Sequence, residues 1–132
     1  MSSEPTGVHA LVAGHGDFAA GLISAVEAVT GRGALLEPIR VQGLSGEDIQ
    51  HVLRDRVAAS GVRVIFTDLQ AGSCTMAARR LLREVADVML VSGTNLPMLL
   101  DFVMSTAPDP HVAARAAVER ARSAISVAGG PP

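Results

Sequence analysis

A doubly wound α/β domain, with a mostly parallel sheet of four or five strands and helices on both faces, is the fold this sequence predicts. Two observations carry the prediction. Short apolar runs of strand length alternate along the whole chain with longer segments whose apolar residues recur at helical spacing. Two of the apolar runs also stop at a glycine or an aspartate, as strands do when they open into a loop.

The first such run, Val8 to Ala13, ends at Gly14. Phe18, Leu22, Ile23, Val26 and Val29 then mark a helix that Gly31 and Gly33 stop. Leu35 to Val41 is the second strand, and Pro38 assigns it to a sheet edge or a bulge because proline donates no ladder hydrogen bond. Ser45, with Asp48 three residues on, opens a helix through Ser60 built on Ile49, Val52, Leu53 and Val57. The third strand, Val62 to Thr67, is rich in β-branched residues and ends at Asp68. A loop, LQAGS, leads to a helix from about Thr75 to Val85. Val88 to Val91 is the fourth strand. SGTNLP follows, with a helix from Pro97 to Thr106, proline being suited to a first turn. Pro108-Asp109-Pro110 breaks the chain before a last helix, Val112 to Ile125, and Ile125 to Ala128 is a weak candidate for a fifth strand. There is no internal repeat. The expected organisation is a disordered segment at residues 1–7, one domain at 8–128 and a frayed tail at 129–132.

Composition narrows the function. Thirteen acidic and eleven basic residues, interspersed, give a formal charge of −2, and Phe18, Phe66 and Phe102 are the only aromatics. Such a chain has no basic block and almost no stacking platform for nucleic acid. Every basic residue is arginine, which excludes Schiff-base lysine chemistry and a P-loop lysine. The single cysteine, Cys74, has no internal disulfide partner. No apolar run approaches roughly 18 residues, and MSSEPTG lacks the layout of a secretory signal, so a cytoplasmic protein is expected.

In a doubly wound sheet ligands bind beyond the carboxyl ends of the strands. His15, Asp68 and the loop from Ser92 to Asn95 each follow a strand and can share that rim. His15 lies between Gly14 and Gly16, where the backbone turns sharply and leaves the ring uncovered. A neutral imidazole offers a free ring nitrogen as nucleophile or base, and a carboxylate on its other nitrogen fixes the tautomer and stabilises the charged ring. Asp68 is the candidate carboxylate. Gly72 and Ser73, at the start of the next helix, offer N–H groups and a hydroxyl to an anion. Each has a plainer reading: a loop histidine bonded to a carbonyl, an aspartate in a turn, a serine at a helix cap. His51 and His111 are expected in solvent and His9 in or near a core, and no histidine or cysteine pairs stand at zinc-ligand spacing. Cys74 and Arg80 match the spacing of cysteine phosphatases, but TMAAR is helical rather than an anion-wrapping loop. The residue before His15 is glycine, not the arginine that histidine phosphatases need.

Together, AGHGDFAAGL, FTDLQAGS and SGTNLPMLLDF resemble the IIA component of the mannose family of the bacterial phosphoenolpyruvate-dependent sugar phosphotransferase system, over about residues 8 to 125. The resemblance implies a soluble, usually dimeric phosphocarrier with no cofactor and no metal. Its histidine accepts a phosphoryl group from the histidine-containing phosphocarrier protein and passes it to a IIB component, and its only link to the membrane is through the transporter. By position, His15 matches the phosphorylated histidine and Asp68 the aspartate that orients it. Gly72 matches the second loop glycine, Ser73 the serine or threonine near the phosphoryl group, and Asn95 and Pro97 a segment packed beside the active loops. Phe18 and Leu69 are candidates for an apolar rim that meets the carrier. The chain departs from the family pattern in having Ala71 for the first loop glycine and Cys74 for a frequent proline, and Ala71 would be strained if its φ were positive. Asp17 adds a negative charge near His15 unless it turns away to cap the helix. Two further readings share the fold: a regulatory module that senses phosphorylation, and the phosphotransfer subunit of dihydroxyacetone kinase, whose histidine more often follows a serine.

Overall fold

The computed structural model describes residues 7–132 of the chain. The elements run β1 (Ala10–Ala13), α1 (Phe18–Thr30), a 3-10 turn (Gly33–Leu35), β2 (Leu36–Ile39), α2 (Gly46–Ser60), β3 (Val64–Thr67), α3 (Ser73–Leu81), β4 (Met89–Val91), α4 (Leu96–Met104) and α5 (Pro110–Ser123). All four strands are parallel, in the order β2-β1-β3-β4. Pro38 sits on edge strand β2, where its missing N–H leaves no gap in the sheet's interior.

Strand alternation divides the core into two layers. Ala10, Val12, Leu36, Val64, Phe66 and Val91 face α1, α4 and α5, whereas Leu11, Ala13, Ile39 and Ile65 face α2 and α3. On the first face Phe66 and Phe102 of α4 meet edge-on with centroids 5.0 Å apart, and α5 contributes Ala113, Ala114, Ala117 and Ala121. On the second, Ile49 and Leu53 of α2 and Ala77, Ala78 and Leu81 of α3 close over the sheet. Both faces are therefore covered, which is why the central strands β1 and β3 read as apolar runs without a polar side.

The elements differ from expectation at several ends. Among the described residues there is no fifth strand: Ile125 and Val127 follow the end of α5 and are exposed, and no strand pairs with them. Helix α3 starts two residues before Thr75 and ends at Leu81, because residues 82–88 turn instead, with Asp87 at φ 63°. Of the segment expected to be disordered, residues 1–6 lie outside the described residues.

Candidate functional site

The chain's direction across the sheet reverses between β1 and β3. From β1 it moves to β2 on one side, then crosses over to β3 on the other. Loops leaving the carboxyl ends of two such neighbouring strands splay apart and open a crevice between them. His15 follows β1 and Asp68 follows β3, so residues 53 apart in sequence meet there.

Local sequence makes the meeting possible. A Cβ on Gly14 would lie 2.5 Å from Cδ2 of Phe18 and 3.0 Å from Cγ of Asp68, so only glycine lets Phe18 and the carboxylate close over this backbone. Gly16 adopts φ 51°, a left-handed turn that L side chains rarely enter. Its carbonyl accepts a 2.8 Å hydrogen bond from Nε2 of Gln42, beyond β2.

One carboxylate oxygen serves His15 twice. Oδ2 of Asp68 accepts the His15 backbone N–H at 2.8 Å and lies 2.7 Å from Nδ1 of the same residue. Against an ionised carboxylate Nδ1 carries the proton, so the neutral ring keeps its lone pair on Nε2. The side chain of His15 is 59% exposed and that of Asp68 only 9%. Oδ1 of Asp68 accepts the Leu69 N–H at 2.9 Å. Burial pushes the Asp68 carboxyl up, but the hydrogen bonds from the His15 amide and ring and from the Leu69 amide outweigh it and hold the group below its ordinary value.

Gly72 caps α3 against the ring. A Cβ there would sit 3.0 Å from Cε1 of His15, closer than ordinary van der Waals contact. Met76 N–H bonds the Gly72 carbonyl, and the amides of the first helical turn precede any intrahelical partner. Ser73 is the first helical residue and exposed, and it bonds neither His15 nor Asp68 among the described residues. Ala71 has no positive φ, since Asp87 is the only non-glycine residue with one among the described residues, so the conditional strain does not arise. Asp17 occupies the position before α1, but its side chain makes no cap hydrogen bond and stays in solvent.

The third loop joins the same rim through backbone: Thr94 N–H donates to the Thr67 carbonyl at 3.1 Å, and Asn95 caps α4 by accepting from Met98 N–H at 3.1 Å. Leu69 is exposed and Phe18 half-buried. Cys74 is buried, and burial together with the negative charge of Asp68 pushes its thiol up to about 11. Arg80 donates Nε to Gln50 of α2, so neither half of the cysteine-phosphatase spacing faces an anion site.

Thr75 was hidden in the sequence as a helix start. It is fully buried, its hydroxyl lies 2.7 Å from that of Thr67, and it bonds the Leu69 carbonyl. His111, expected in solvent, is half-buried, and its Nε2 lies 3.1 Å from the Arg63 carbonyl and 2.9 Å from that of Asp87. His51 is exposed and His9 half-buried. No group of three or more potential metal-ligating side chains occurs among the described residues, and no helix there is long and apolar enough to cross a membrane.

Fold and rim define a doubly wound domain with its polar residues at the switch point of a four-stranded parallel sheet. The model of one family, EIIA-man, described as the phosphotransferase system fructose IIA component, matches residues 9–121, and the chain belongs to that family. It is thus a IIA component of the phosphotransferase system, a phosphotransferase in general terms, which works with a phosphocarrier and a IIB partner. Among solved structures it is similar to a provisionally assigned phosphoenolpyruvate-dependent sugar phosphotransferase system permease from Klebsiella pneumoniae, with 26% identity, TM-score 0.77 and coverage of 96% of this chain and 95% of that one. The EIIA component from Streptococcus agalactiae shares 23% identity at TM-score 0.80, over 91% and 96% of the two chains. The mannose/sorbose-specific IIA subunit from Enterococcus faecalis shares 18% at 0.77, over 96% and 98%. No curated protein matches.

Proposed function

We propose that His15 accepts a phosphoryl group from the histidine-containing phosphocarrier protein and passes it to a IIB component, within a single domain spanning residues 8–128 and in the cytoplasm. The observation that carries this is the Asp68 contact, which occupies Nδ1 and leaves Nε2 of the exposed His15 side chain free to attack. In the step, the Nε2 lone pair forms a bond to phosphorus in line as the donor's phosphorus–nitrogen bond breaks, and its electron pair returns to the donor imidazole. The Nδ1 proton stays on His15, and Asp68 stabilises the positive charge the ring acquires. In this reading the first amides of α3, with Gly72 and Ser73, hold the phosphoryl oxygens, a role supported by Gly72 at the start of the helix lying against the His15 ring. No cofactor or metal enters this step, because the donor is already a phosphohistidine.

Gly14 favours the sugar-transport branch over the dihydroxyacetone kinase subunit, since a serine there would meet the Phe18 ring. We also propose a homodimer. The second edge of β4 is unpaired among the described residues, and Met89 and Leu90 on it are only half-buried.

Incubation with phosphoenolpyruvate, enzyme I and the phosphocarrier protein, followed by intact mass and acid treatment, tests the relay. An acid-labile phosphoryl group on His15 is expected. His15→Ala should abolish it with the fold intact, and Asp68→Ala should slow acceptance by about 10- to 100-fold through loss of orientation. Normal labelling of the His15 variant overturns the assignment, and no labelling of the folded wild type favours the regulatory module.

A further inference from the structure

Asp68 is flanked by two groups that a single buried hydroxyl ties together. Thr75 has one hydroxyl proton, and the Leu69 carbonyl can only accept, so that proton goes to Leu69. Thr75 then accepts in turn from the Thr67 hydroxyl, 2.7 Å away. Thr67 and Thr75 are both fully buried, so water does not replace either partner. On one side of Asp68 the chain is held at the end of β3, where Thr67 is also tied to the Thr94 loop through its carbonyl. On the other it is held at Leu69, whose N–H bonds Oδ1 of Asp68.

Thr75 also belongs to the first turn of α3, whose cap Gly72 abuts Cε1 of His15. Its hydroxyl therefore joins the aspartate and the helix end that the ring lies between. None of the hydrogen bonds made directly to His15 does this: its N–H and Nδ1 bond Asp68, and its carbonyl accepts from the Phe18 N–H.

We propose that Thr75 is a positioning residue. Its hydroxyl, clamped between Thr67 and Leu69, sets the separation of the Asp68 carboxylate from the start of α3, so that His15 meets both at once. The inference rests on His15 being the phosphoryl acceptor for its rate consequence, but not for its structural one.

The test compares Thr75→Val, which keeps the shape and removes the hydroxyl, with Thr75→Ser, which keeps the hydroxyl. Two signals are read on the full chain: the rate of phosphoryl acceptance from the phosphocarrier protein, and the imidazole 15N and Nδ1 proton resonances of His15. Thr75→Val should lose about tenfold in kcat with little change in KM for the carrier, and its His15 resonances should move toward those of Asp68→Ala. Thr75→Ser should return both toward wild type. Unchanged resonances in a folded Thr75→Val, or equal loss in the serine variant, overturn the clamp. Should Thr75→Val not fold, Thr67→Val cuts the same chain one bond further from Asp68, with the same shift expected and its absence equally decisive. If the wild type accepts no phosphoryl group the relay fails, while the resonances still decide the clamp.

Discussion

Asp68 carries opposing influences in a few ångströms. Burial alone pushes its carboxyl up, and three hydrogen bonds from His15 and Leu69 bring it below the ordinary value. A carboxyl whose folded pKa lies below its unfolded one, about 3.9, contributes stability that is fully present above that pH and is lost as pH falls through the folded value. Urea titrations should therefore show the wild type losing stability on acidification below about pH 4 more steeply than Asp68→Asn, which has no such proton to bind. Identical slopes would remove Asp68 from the pH response. His15 and Asp68 were legible as a pair because each lies in a loop directly after a predicted strand. The double use of Oδ2 was not legible, since it depends on the turn at Gly14 and Gly16.

At the scale of the element, α3 is where reading and structure part most. Ser73 and Thr75 are both residue types that open helices, and the sequence alone does not separate a first helical residue from a buried third one. The separation comes from tertiary contact, since Thr75 reaches Leu69 and Thr67 only when α3 packs beneath the loop. The same packing buries Cys74 beside Ala77 and Ala78. With its thiol pushed up to about 11, Cys74 stays protonated and covered at neutral pH. Iodoacetamide should leave the native protein unmodified over the time in which the urea-unfolded chain reacts completely, as read by intact mass. Equal rates in both states would mean that α3 opens readily.

For the whole molecule, alternation of apolar runs with helical spacing was enough to indicate a mostly parallel sheet of four or five strands with helices on both faces; the described residues form four, all parallel. Strand order was not, because nothing in the local pattern states whether β3 returns beside β1 or beyond β2. That order matters, since it alone puts the ends of β1 and β3 side by side. The weak fifth strand failed for a related reason: the apolar residues Ile125 and Val127 have the right chemistry but no strand to pair with among the described residues. Sedimentation equilibrium should give twice the chain mass of 13.6 kDa for the proposed homodimer. A single-chain mass at micromolar concentration would leave the β4 edge unused.

The shared oxygen of Asp68 has a stereochemical consequence. The backbone N–H and Nδ1 of His15 close a small chelate on that oxygen, and Nε2, on the far side of the ring, is too distant from its own backbone to close it. A flipped imidazole would forfeit half the chelate. In the proposed relay the regiochemistry of the phosphoramidate is thereby chosen before any donor arrives, and the 31P spectrum of the labelled protein should contain one positional isomer.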